Sequence, residues 1–305
     1  MKKVSVSIID FNGRENTLDC LDSIKIINKK GFEVSIVLVD NFPSKTLVIP
    51  QKYFEALDLK LIKTKENLGF TGGHNAGIKY ALSKNADYVL VLNNDVVVDP
   101  NLISQLLGVL DKNDNYAIAS PKIYFAKGFE YHKERYNKLE TGRVLWYAGG
   151  QMDWANVIAK HRGVDEVDKG QYQKTEETDF ATGACLLVKK EVLERVGFFD
   201  DKYFLYYEDS DFSQRIRKAG YKIIYVPDAV VWHRNAASAG GSGSSLQDYY
   251  ISRNRLLFGL RYASLRSKAA LVKESIRLLI MGRKWQKKGI RDFYLRKFGK
   301  GNFPA

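Results

Sequence analysis

Cysteine is scarce in this chain of 305 residues, which contains two cysteines in total. Cys20 and Cys185 lie far apart and match neither the ligand spacing of a zinc site nor a disulfide framework. Each lies in an apolar stretch, so we expect both to be small, buried hydrophobic residues in a reducing compartment. The cysteine pattern therefore excludes a disulfide scaffold and a cysteine-ligated metal centre.

Long apolar runs are also absent from the sequence. No stretch reaches the about 18 apolar residues that a membrane-spanning helix needs. The apolar run after Lys2 and Lys3 ends at Asp10, which is too short for the core of a secretory signal, and no cleavage-site pattern follows it. We therefore expect a protein that is made and kept in the cytoplasm. Its aromatic content of 12% indicates a packed globular domain rather than a disordered chain.

The positive charge is concentrated in one part of the chain. The formal net charge is +13, and residues 246–305 contain 15 Lys and Arg residues but three Asp and Glu residues. The remainder is almost neutral, whereas a uniformly basic body would have indicated a nucleic-acid partner. A basic segment of this kind is instead typical of contact with an anionic membrane surface.

An amphipathic helix is predicted within this basic segment. Apolar residues recur in it every three or four positions, namely at Leu265, Ala269, Val272, Ile276 and Leu279. Two interpretations stay open: this stripe packs on the body or on a partner, or it lies on a membrane surface. We predict two parts, a domain over residues 1–245 and a basic helical tail over residues 246–305.

The first part of the chain alternates between two hydrophobic periods. The predicted strands are 4–9, 34–39, 59–62 and 88–92, and the predicted helices between them are 14–27 and 73–82. This alternation predicts βαβ units, and hence an α/β fold with a mostly parallel sheet. Ligands on such sheets bind beyond the carboxyl ends of the strands. The loops of interest therefore begin at Asp10, Asp40, Asn67 and Asn93.

The middle of the chain is less regular. Residues 122–178 contain isolated aromatic residues and glycines, which predict loops and short antiparallel strands. The elements predicted to follow are a strand at 184–188, helices at 190–196 and 208–220, and short strands at 222–226 and 229–232. Residues 236–245, with the sequence AASAGGSGSS, are predicted to form a flexible loop.

Two acidic motifs are candidates for chemistry. Asn93–Asp95 follows a predicted buried strand, where a carboxylate can hold a hard divalent cation and amides can bind sugar hydroxyls. The same three residues are good turn formers, so a plain turn stays open. Acidic residues also crowd into Glu208–Asp211, after an aromatic run. They favour a helix N-terminus, and a carboxylate at the mouth of an apolar pocket also suits a general base.

A histidine and a glycine-rich loop complete the set. His233 ends the last predicted strand and is either a structural residue or a ligand for a borderline cation such as Mn²⁺. Residues 67–77, with the sequence NLGFTGGHNAG, precede a helix, and their glycines allow close approach to an anion. They match neither a Walker A motif nor G-x-G-x-x-G, which disfavours a dinucleotide-dependent dehydrogenase.

Taken in order, these motifs resemble the family 2 glycosyltransferases of the GT-A fold, and especially their bacterial rhamnosyltransferase-like branch. The stretches that carry the resemblance cover nearly the whole chain and are VSIIDFNG, VLVDN, NLGFTGGHNAGI, LNNDV, TGACLLVKK, residues 197–211, YVPDAVVWH, GSS, YYISRN and KGIRD. Each motif alone is weak, but the ordered set is specific. The resemblance implies a Rossmann-like sheet flanked by helices, a small antiparallel portion on the acceptor side and a C-terminal helical tail.

The resemblance also implies roles for individual residues. Asp209 matches the aspartate of the family's Glu-Asp pair and would be the catalytic base. Asp95 and His233 would hold a divalent cation, Mg²⁺ or Mn²⁺; only Asp95 keeps a carboxylate in the family's D-x-D motif, so metal binding is expected to be looser. The implied donor-binding residues are Asp10, Asp40, Gly69, Asn75, Asn93, Asn94 and, as a diphosphate contact, Arg253. The implied residues of the acceptor pocket are Thr182, Gly183, Ala184 and Glu208.

The implied reaction is inverting transfer of a sugar from a nucleotide-sugar donor to a hydroxyl of a saccharide or lipid-linked saccharide, in the synthesis of a cell-surface polysaccharide. L-Rhamnose from dTDP-L-rhamnose is the expected donor, and a UDP-hexose is the alternative. A non-catalytic scaffold that binds sugar nucleotides or polysaccharide is the alternative from another class. We expect peripheral attachment to the inner face of the cell membrane through the basic tail and no nucleic-acid partner. The oligomeric state stays open, a homodimer included.

Overall fold

A computed structural model describes residues 1–234 and 243–304. Most of the predicted loop over 236–245 lies outside these residues. Strands and helices alternate in the first hundred residues, as the two hydrophobic periods predicted. None of the helices within the described residues combines the length and the apolarity needed to cross a membrane.

Ten strands form one large sheet, and two more form a separate hairpin. The strands are β1 (Lys2–Asp10), β2 (Phe32–Asp40), β3 (Asp58–Lys63), β4 (Tyr88–Asn93), β5 (Val96–Val98), β6 (Tyr116–Phe125), β7 (Leu145–Tyr147), β8 (Gly150–Asp153), β9 (Ile158–His161), β10 (Glu176–Glu177), β11 (Cys185–Lys189) and β12 (Lys222–His233). The order across the main sheet is β10-β12-β6-β11-β4-β1-β2-β3, with β5 beside β12 and β7 beside β6. β3, β2, β1 and β4 run parallel to one another, as do β6 and β12, while β11 runs antiparallel between β4 and β6.

Helices cover the faces of the sheet and form the C-terminal part. They are α1 (Arg14–Lys25), α2 (Gln51–Ala56), α3 (Gly69–Ser83), α4 (Leu102–Leu110), α5 (Lys190–Val196), α6 (Glu208–Lys218), α7 (Ser245–Tyr262), α8 (Leu265–Met281) and α9 (Lys284–Tyr294). β8 and β9 form the small antiparallel hairpin that the irregular middle of the sequence predicted. The expected architecture, a mostly parallel α/β sheet with a small antiparallel portion and C-terminal helices, is confirmed.

The sheet is buried on both faces at its centre, where β4 is apolar from Tyr88 to Leu92. In β4, Leu90 and Leu92 pack into one apolar layer, whereas Val89 and Val91 pack into the layer on the opposite face. Both cysteines are buried in this core, as expected, and both thiols are free.

Two predicted strands form a single strand, β12, which runs through both. Its register against β6 shifts between Val226 and Val230, around Pro227 and Asp228. A proline cannot donate to the ladder, so the pairing is interrupted there without ending the strand. The prediction of two separate strands was therefore wrong only at this interruption.

The carboxyl ends of three parallel strands lie at one edge of the sheet. Asp10 of β1 is in register with Asp40 of β2, and Ile9 is in register with Asn93 of β4. The loops that follow these strands therefore meet along one side of the molecule, where ligands of parallel sheets bind.

Helix α7 packs into the body of the protein although it belongs to the predicted tail. Tyr249, Tyr250, Arg253 and Asn254 are buried. The Tyr262 hydroxyl, at the end of α7, donates to the buried carboxylate of Asp211 in α6 at 2.8 Å. The first helix of the predicted tail is therefore packed against the body of the protein, and the predicted boundary at residue 245 stays a prediction.

Candidate active site

The side chains of Asp95 and His233 meet at the end of the sheet. β5 pairs with β12 so that Val96 lies opposite His233, which brings the turn after β4 beside the end of β12. Asp95 Oδ1 and His233 Nε2 are 3.1 Å apart, and both side chains are largely buried. Asp95 Oδ1 has no other hydrogen-bond partner within the described residues, and His233 Nδ1 has none there.

Two opposing effects act on the pKa of Asp95. Burial raises it, but the attraction of His233, the hydrogen bond to that ring and the nearby charge of Arg234 together outweigh burial. The pKa therefore lies below its ordinary value, and the carboxylate is ionised at neutral pH. An ionised oxygen ligand lies next to an imidazole as a result.

Asn94 turns away from this pair and contacts the loop after β1. Its amide donates to Thr17 Oγ1 at 2.9 Å and to Asp10 Oδ2 at 3.3 Å. The Asp10 carboxylate also accepts the Thr17 hydroxyl at 2.6 Å. Burial raises the pKa of Asp10, and these hydrogen bonds offset that only in part. In the backbone, Asn93 donates its N–H to the carbonyl of Ala184 at 3.0 Å.

An open cavity of about 590 Å³ lies between the loops that follow β1 and β2. Asp10, Arg14 and Asn16 line one side, and Phe42 and Lys45 line the other. Its volume is in the range of ligand pockets. The two cations in its lining were not singled out by the sequence analysis, because single basic residues in loops carry no pattern.

Arg234 connects this cavity to the Asp95–His233 pair. It directly follows His233 and donates to Asn16 Oδ1, in the wall of the cavity, at 2.9 Å. It also forms an ion pair with Asp19 at 2.6 Å. Arg234 therefore links the wall of the cavity to the strand end that carries the pair, although Asp95 and His233 are not among the residues that line the cavity.

Asp40 shapes the wall of this cavity. Its carboxylate is buried and accepts the backbone N–H groups of Leu47 at 3.0 Å and of Phe42 at 3.3 Å. These bonds fold the loop after β2, which carries Phe42 and Lys45. A carboxylate with two such bonds can still accept further hydrogen bonds. The predicted contact of Asp40 with the nucleotide-sugar donor therefore stays a prediction.

The glycine-rich segment has a structural role that the sequence did not predict. Helix α3 begins at Gly69, earlier than predicted, and the N–H groups of Phe70 and Thr71 bond to the Phe204 carbonyl at 2.8 and 3.3 Å. Gly69 has φ of +67°, and a Cβ on it would lie 2.4 Å from the Phe204 oxygen. Those two N–H groups are therefore taken by protein rather than offered to an anion.

Asn75 is likewise held by protein groups. It is buried, its amide donates to the carbonyl of Phe199 at 2.9 Å and to Asp201 at 2.8 Å, and its oxygen accepts the Phe199 N–H at 3.1 Å. The predicted donor contact does not fit this placement, because the amide joins α3 to the segment before α6.

Asp209 lies at the first turn of α6 against the loop that precedes β11. Its Oδ2 accepts the Gly183 N–H at 3.1 Å, and its Oδ1 accepts the Ser210 N–H at 2.6 Å. Burial raises the pKa of Asp209, although these hydrogen bonds lower it in part. A carboxylate of raised pKa accepts a proton more readily near neutral pH, which suits a general base.

Three of the predicted acceptor residues connect Asp209 to the turn after β4. Gly183 holds Asp209, and the carbonyl of Ala184 accepts the N–H of Asn93, two residues before Asp95. Thr182 is buried and accepts the Ala184 N–H at 3.4 Å. The segment before β11 therefore bridges the two ends of the site.

Glu208, the fourth predicted acceptor residue, is buried beside Asp209. Its Oε2 has no hydrogen-bond partner within the described ranges. Burial, together with the charge of Asp209, raises the pKa of Glu208 well above its ordinary value. Of these two adjacent carboxyl groups, Glu208 therefore has its protonated form favoured by burial and by the charge of its neighbour, whereas hydrogen bonds from Gly183 and Ser210 favour the ionised form of Asp209.

The aromatic segment before α6 has an unusual backbone. Phe204, Tyr206 and Tyr207 have φ of +67°, +68° and +70°, in the left-handed region that large side chains rarely adopt. Asn254 of α7 donates to carbonyls throughout this segment, with distances of 2.9 Å to Tyr203, 2.8 Å to Leu205 and 2.9 Å to Tyr206. These bonds hold the segment that leads into Glu208 and Asp209.

Arg253 takes part in the same arrangement and is not placed as a diphosphate contact. It is fully buried, and its guanidinium donates to the carbonyls of Tyr203 at 2.9 Å and Gly299 at 2.7 Å. Its Nε donates to Asn254 Oδ1 at 2.9 Å, which orients that amide. The predicted role of Arg253 needs this correction, because its donors are used inside the protein.

The residues present fit a divalent cation whose remaining ligands would come from the substrate and from water. Within the described residues no three His, Cys, Asp or Glu side chains form a metal cluster. Asp95 and His233 nevertheless supply one oxygen and one nitrogen atom at the same point. Mg²⁺ in nucleotide-dependent sites is usually held by one or two carboxylates, with substrate phosphates and water as the other ligands.

The chain matches the model of glycosyl transferase family 2 over residues 5–197. This match covers more than half of the chain, so the chain belongs to that family and is a glycosyltransferase. The matched region ends before α6 and β12, so Asp209 and His233 lie beyond it.

Curated relatives that share a quarter or more of the aligned residues include two with named transferase activities. A low-salt glycan biosynthesis hexosyltransferase of Haloferax volcanii is 26% identical over 257 residues, which cover 83% of this chain and 74% of that protein. The N-acetylglucosaminyl-diphospho-decaprenol L-rhamnosyltransferase of Mycobacterium tuberculosis is 29% identical over 225 residues, which cover 70% of each chain.

A solved structure supports the fold. The crystal structure of GalNAc-T7 with UDP, GalNAc and Mn²⁺ superimposes with a TM-score of 0.67 over 96% of this chain and 54% of that one. At 18% identity this likeness concerns the fold alone, and the fold is GT-A.

Proposed function

We propose that this protein transfers a sugar from a nucleoside diphosphate to an acceptor hydroxyl with inversion at the anomeric carbon, and that Asp209 is the base. The observation that carries the proposal is the placement of Asp209. It is held by the N–H groups of Gly183 and Ser210, burial raises its pKa, and it is linked through Ala184 and Asn93 to the turn that carries Asp95.

The chemistry follows from these positions. As the acceptor oxygen forms its bond to the anomeric carbon, the bond between that carbon and the diphosphate oxygen breaks. Asp209 takes the proton of the acceptor hydroxyl, and the nucleoside diphosphate leaves with the bonding electrons. A single displacement of this kind, without a covalent intermediate, inverts the configuration.

The nucleoside diphosphate is assigned to the cavity between the loops after β1 and β2. Arg14 and Lys45 are the cations of its lining, and they replace Arg253 as the candidate diphosphate contacts. Asp95 and His233 would hold Mg²⁺ or Mn²⁺ beside Arg234, which bonds to Asn16 of the cavity lining. When bound, such a cation neutralises charge that develops on the leaving oxygen.

We propose L-rhamnose from dTDP-L-rhamnose as the donor sugar, with a UDP-hexose as the alternative. The support is the relative named an L-rhamnosyltransferase, with 29% identity. The name of that relative also includes a diphospho-decaprenol, which makes a lipid-linked saccharide our proposed acceptor, for a cell-surface polysaccharide. A panel of activated sugars, assayed for nucleotide release with and without Mn²⁺, tests the donor.

The test of the proposed base is the variant Asp209→Asn, which keeps the shape of the side chain but replaces the basic carboxylate with an amide that does not accept a proton. Loss of a positioned base costs about 10²–10⁴-fold in rate. We expect kcat to fall by that amount while the donor still raises the melting temperature as it does in the parent. Asp228→Asn, at an exposed carboxylate of β12, is the matched control.

Two outcomes would contradict the proposal. Turnover near the parent value in Asp209→Asn removes that residue from the role of base. Donor binding without hydrolysis or transfer, for every activated sugar and acceptor tried, would favour the non-catalytic scaffold instead.

A further inference from the structure

Helix α8 presents two different faces, and only one of them is packed. On the packed face, Ser267 donates to the Trp154 carbonyl at 2.9 Å, Leu271 is buried, and the Ser275 hydroxyl lies 2.6 Å from that of Tyr294 in α9. Small and polar groups thus make up much of this face. The helix is anchored mainly by these contacts rather than by its predicted apolar stripe.

The apolar stripe predicted from the sequence lies largely on the other face. Leu265, Ile276 and Leu279 of that stripe are exposed, and Ile280, with an exposed fraction of 71%, extends it. The interpretation in which the stripe packs on the body is therefore wrong for these residues. Large exposed apolar side chains that cluster on one helix face mark an interaction site.

The acidic side chains of this part of the chain are all engaged internally. Asp248 pairs with Arg283, and Glu274 pairs with Arg255. Asp292 is buried and accepts the side-chain amide of Asn302 at 2.8 Å. They therefore leave the other cations of α8, α9 and the segment after them without neutralising partners.

Eleven cations of this part form no ion pair within residues 1–234 and 243–304, namely Arg266, Lys268, Lys273, Arg277, Lys284, Lys287, Lys288, Arg291, Arg296, Lys297 and Lys300. Such an excess of one sign attracts an anionic surface. The excess lies on the same helices as the exposed apolar stripe.

A cleft of about 480 Å³ between the end of α8 and α9 combines both features. Leu279, Tyr294 and Leu295 supply its apolar lining. Lys287, Lys288 and Arg291 are the cations that line it. Apolar groups beside ammonium and guanidinium groups match the boundary between the acyl chains and the phosphates of a bilayer.

We propose that the outer face of α8, with the cleft toward α9, docks on a membrane that contains anionic phospholipids. Ile276 and Ile280 enter the acyl boundary, while Lys287 and Lys288 reach the lipid phosphates. The exposed apolar stripe and the unpaired cations together favour a membrane over other partners. A polyanion in solution would use the cations but would leave the apolar stripe exposed, and a purely apolar partner would leave the cations without neutralising charge.

The experiment is flotation of the full chain with vesicles of phosphatidylcholine alone or with one quarter phosphatidylglycerol. We expect binding to the anionic vesicles and much less to the neutral ones. Lys287→Gln with Lys288→Gln should weaken binding roughly thirtyfold, because each charge near an anionic surface contributes about fivefold. Ile276→Asp with Ile280→Asp should weaken it roughly tenfold or more.

Matched controls exist at the end of α1. Ile26 is 64% exposed, and Lys29 and Lys30 are adjacent exposed lysines, whereas of the adjacent Lys287 and Lys288 the first is half-buried and the second exposed. Ile26→Asp and the double variant Lys29→Gln with Lys30→Gln should bind vesicles as the parent does. Melting temperatures of all variants show whether each one is folded.

The proposal goes beyond the transferase reaction, and its failure can be told apart from failure of that reaction. Transfer to an acceptor without a lipid should be unchanged in every tail variant. Equal binding to neutral and anionic vesicles, no binding at all, or binding that the tail variants leave intact would each overturn the proposal, whatever the transferase assay shows.

Discussion

The side-chain amide of Asn254 is a point at which one substitution should disturb the base without touching the donor cavity. The amide has two N–H donors. Its nitrogen lies within 2.9 Å of the carbonyl oxygens of Tyr203, Leu205 and Tyr206. Asn254→Ala removes both donors from a buried place. Each buried carbonyl that loses its partner costs about 1–3 kcal/mol.

The magnitude follows from these bonds and from the backbone that they hold. Loss of the partners of two carbonyls corresponds to about 2–6 kcal/mol of unfolding free energy. Phe204, Tyr206 and Tyr207 adopt the left-handed region, at a cost of roughly 1–2 kcal/mol each. Without the amide this segment relaxes, and Asp209, two residues after Tyr207, moves with it. A displacement of about 1 Å in a catalytic group costs roughly 100-fold in rate.

The assay is initial-rate transfer with kcat and the donor KM measured separately. We expect kcat to fall about 10–100-fold, whereas the donor KM stays near the parent value because the cavity is lined by loops after β1 and β2. Asn254→Asp keeps the size of the side chain but lacks the donors, so it should behave in the same way. Asn115→Ala, at an exposed asparagine, is the control. A fully active Asn254→Asp would refute this reasoning.

Four further predictions concern stability, pH and the cation. Gly69→Ala should destabilise more than Gly31→Ala in thermal melts, because both glycines have positive φ but only the first meets a carbonyl, at 2.4 Å; equal losses would contradict this. Burial raises the folded-state pKa of Glu208 far above the unfolded value of 4.5, so its contribution to stability is lost as pH rises, and Glu208→Gln should melt higher than the parent at pH 8 but not at pH 4. The acidic limb of the pH–kcat profile should lie above the ordinary aspartate value of 3.8, since the pKa of Asp209 is raised; a limb at or below it would contradict the base. Excess chelator should suppress transfer, and full activity under chelation would remove the cation from the proposal.

Much of the fold was predictable because it depends on local periodicity. The apolar runs of β1, β2 and β4 and the helix Lys190–Val196 were predicted close to their observed positions. What the sequence could not provide was long-range pairing. The antiparallel insertion of β11 between β4 and β6, for example, depends on contacts between residues far apart in the chain.

The candidate site was predictable to the extent that its residues carry motifs. Asp95 and His233 lie together, and Asp209 lies against Gly183. Arg253 had the right charge for a phosphate, but burial and backbone carbonyls determine what it binds. A sequence shows the charge of a side chain and not the direction in which it points, which is also why Arg14 and Lys45 escaped notice.

The hydrogen bonds between α7 and the segment before α6 indicate which residues should be exchanged together when chimeras of homologues are built. Asn254 of α7 bonds to Tyr206, and Tyr262 of α7 bonds to Asp211. In the sequence, residues 235–242 lie between α7 and these partners. A chimera joined near residue 245 would take the segment before α6 from one parent and the Asn254 amide that bonds to it from the other. Crossovers at Gly197 and after Tyr262 would carry both partners together, so libraries built to change acceptor choice are best cut there.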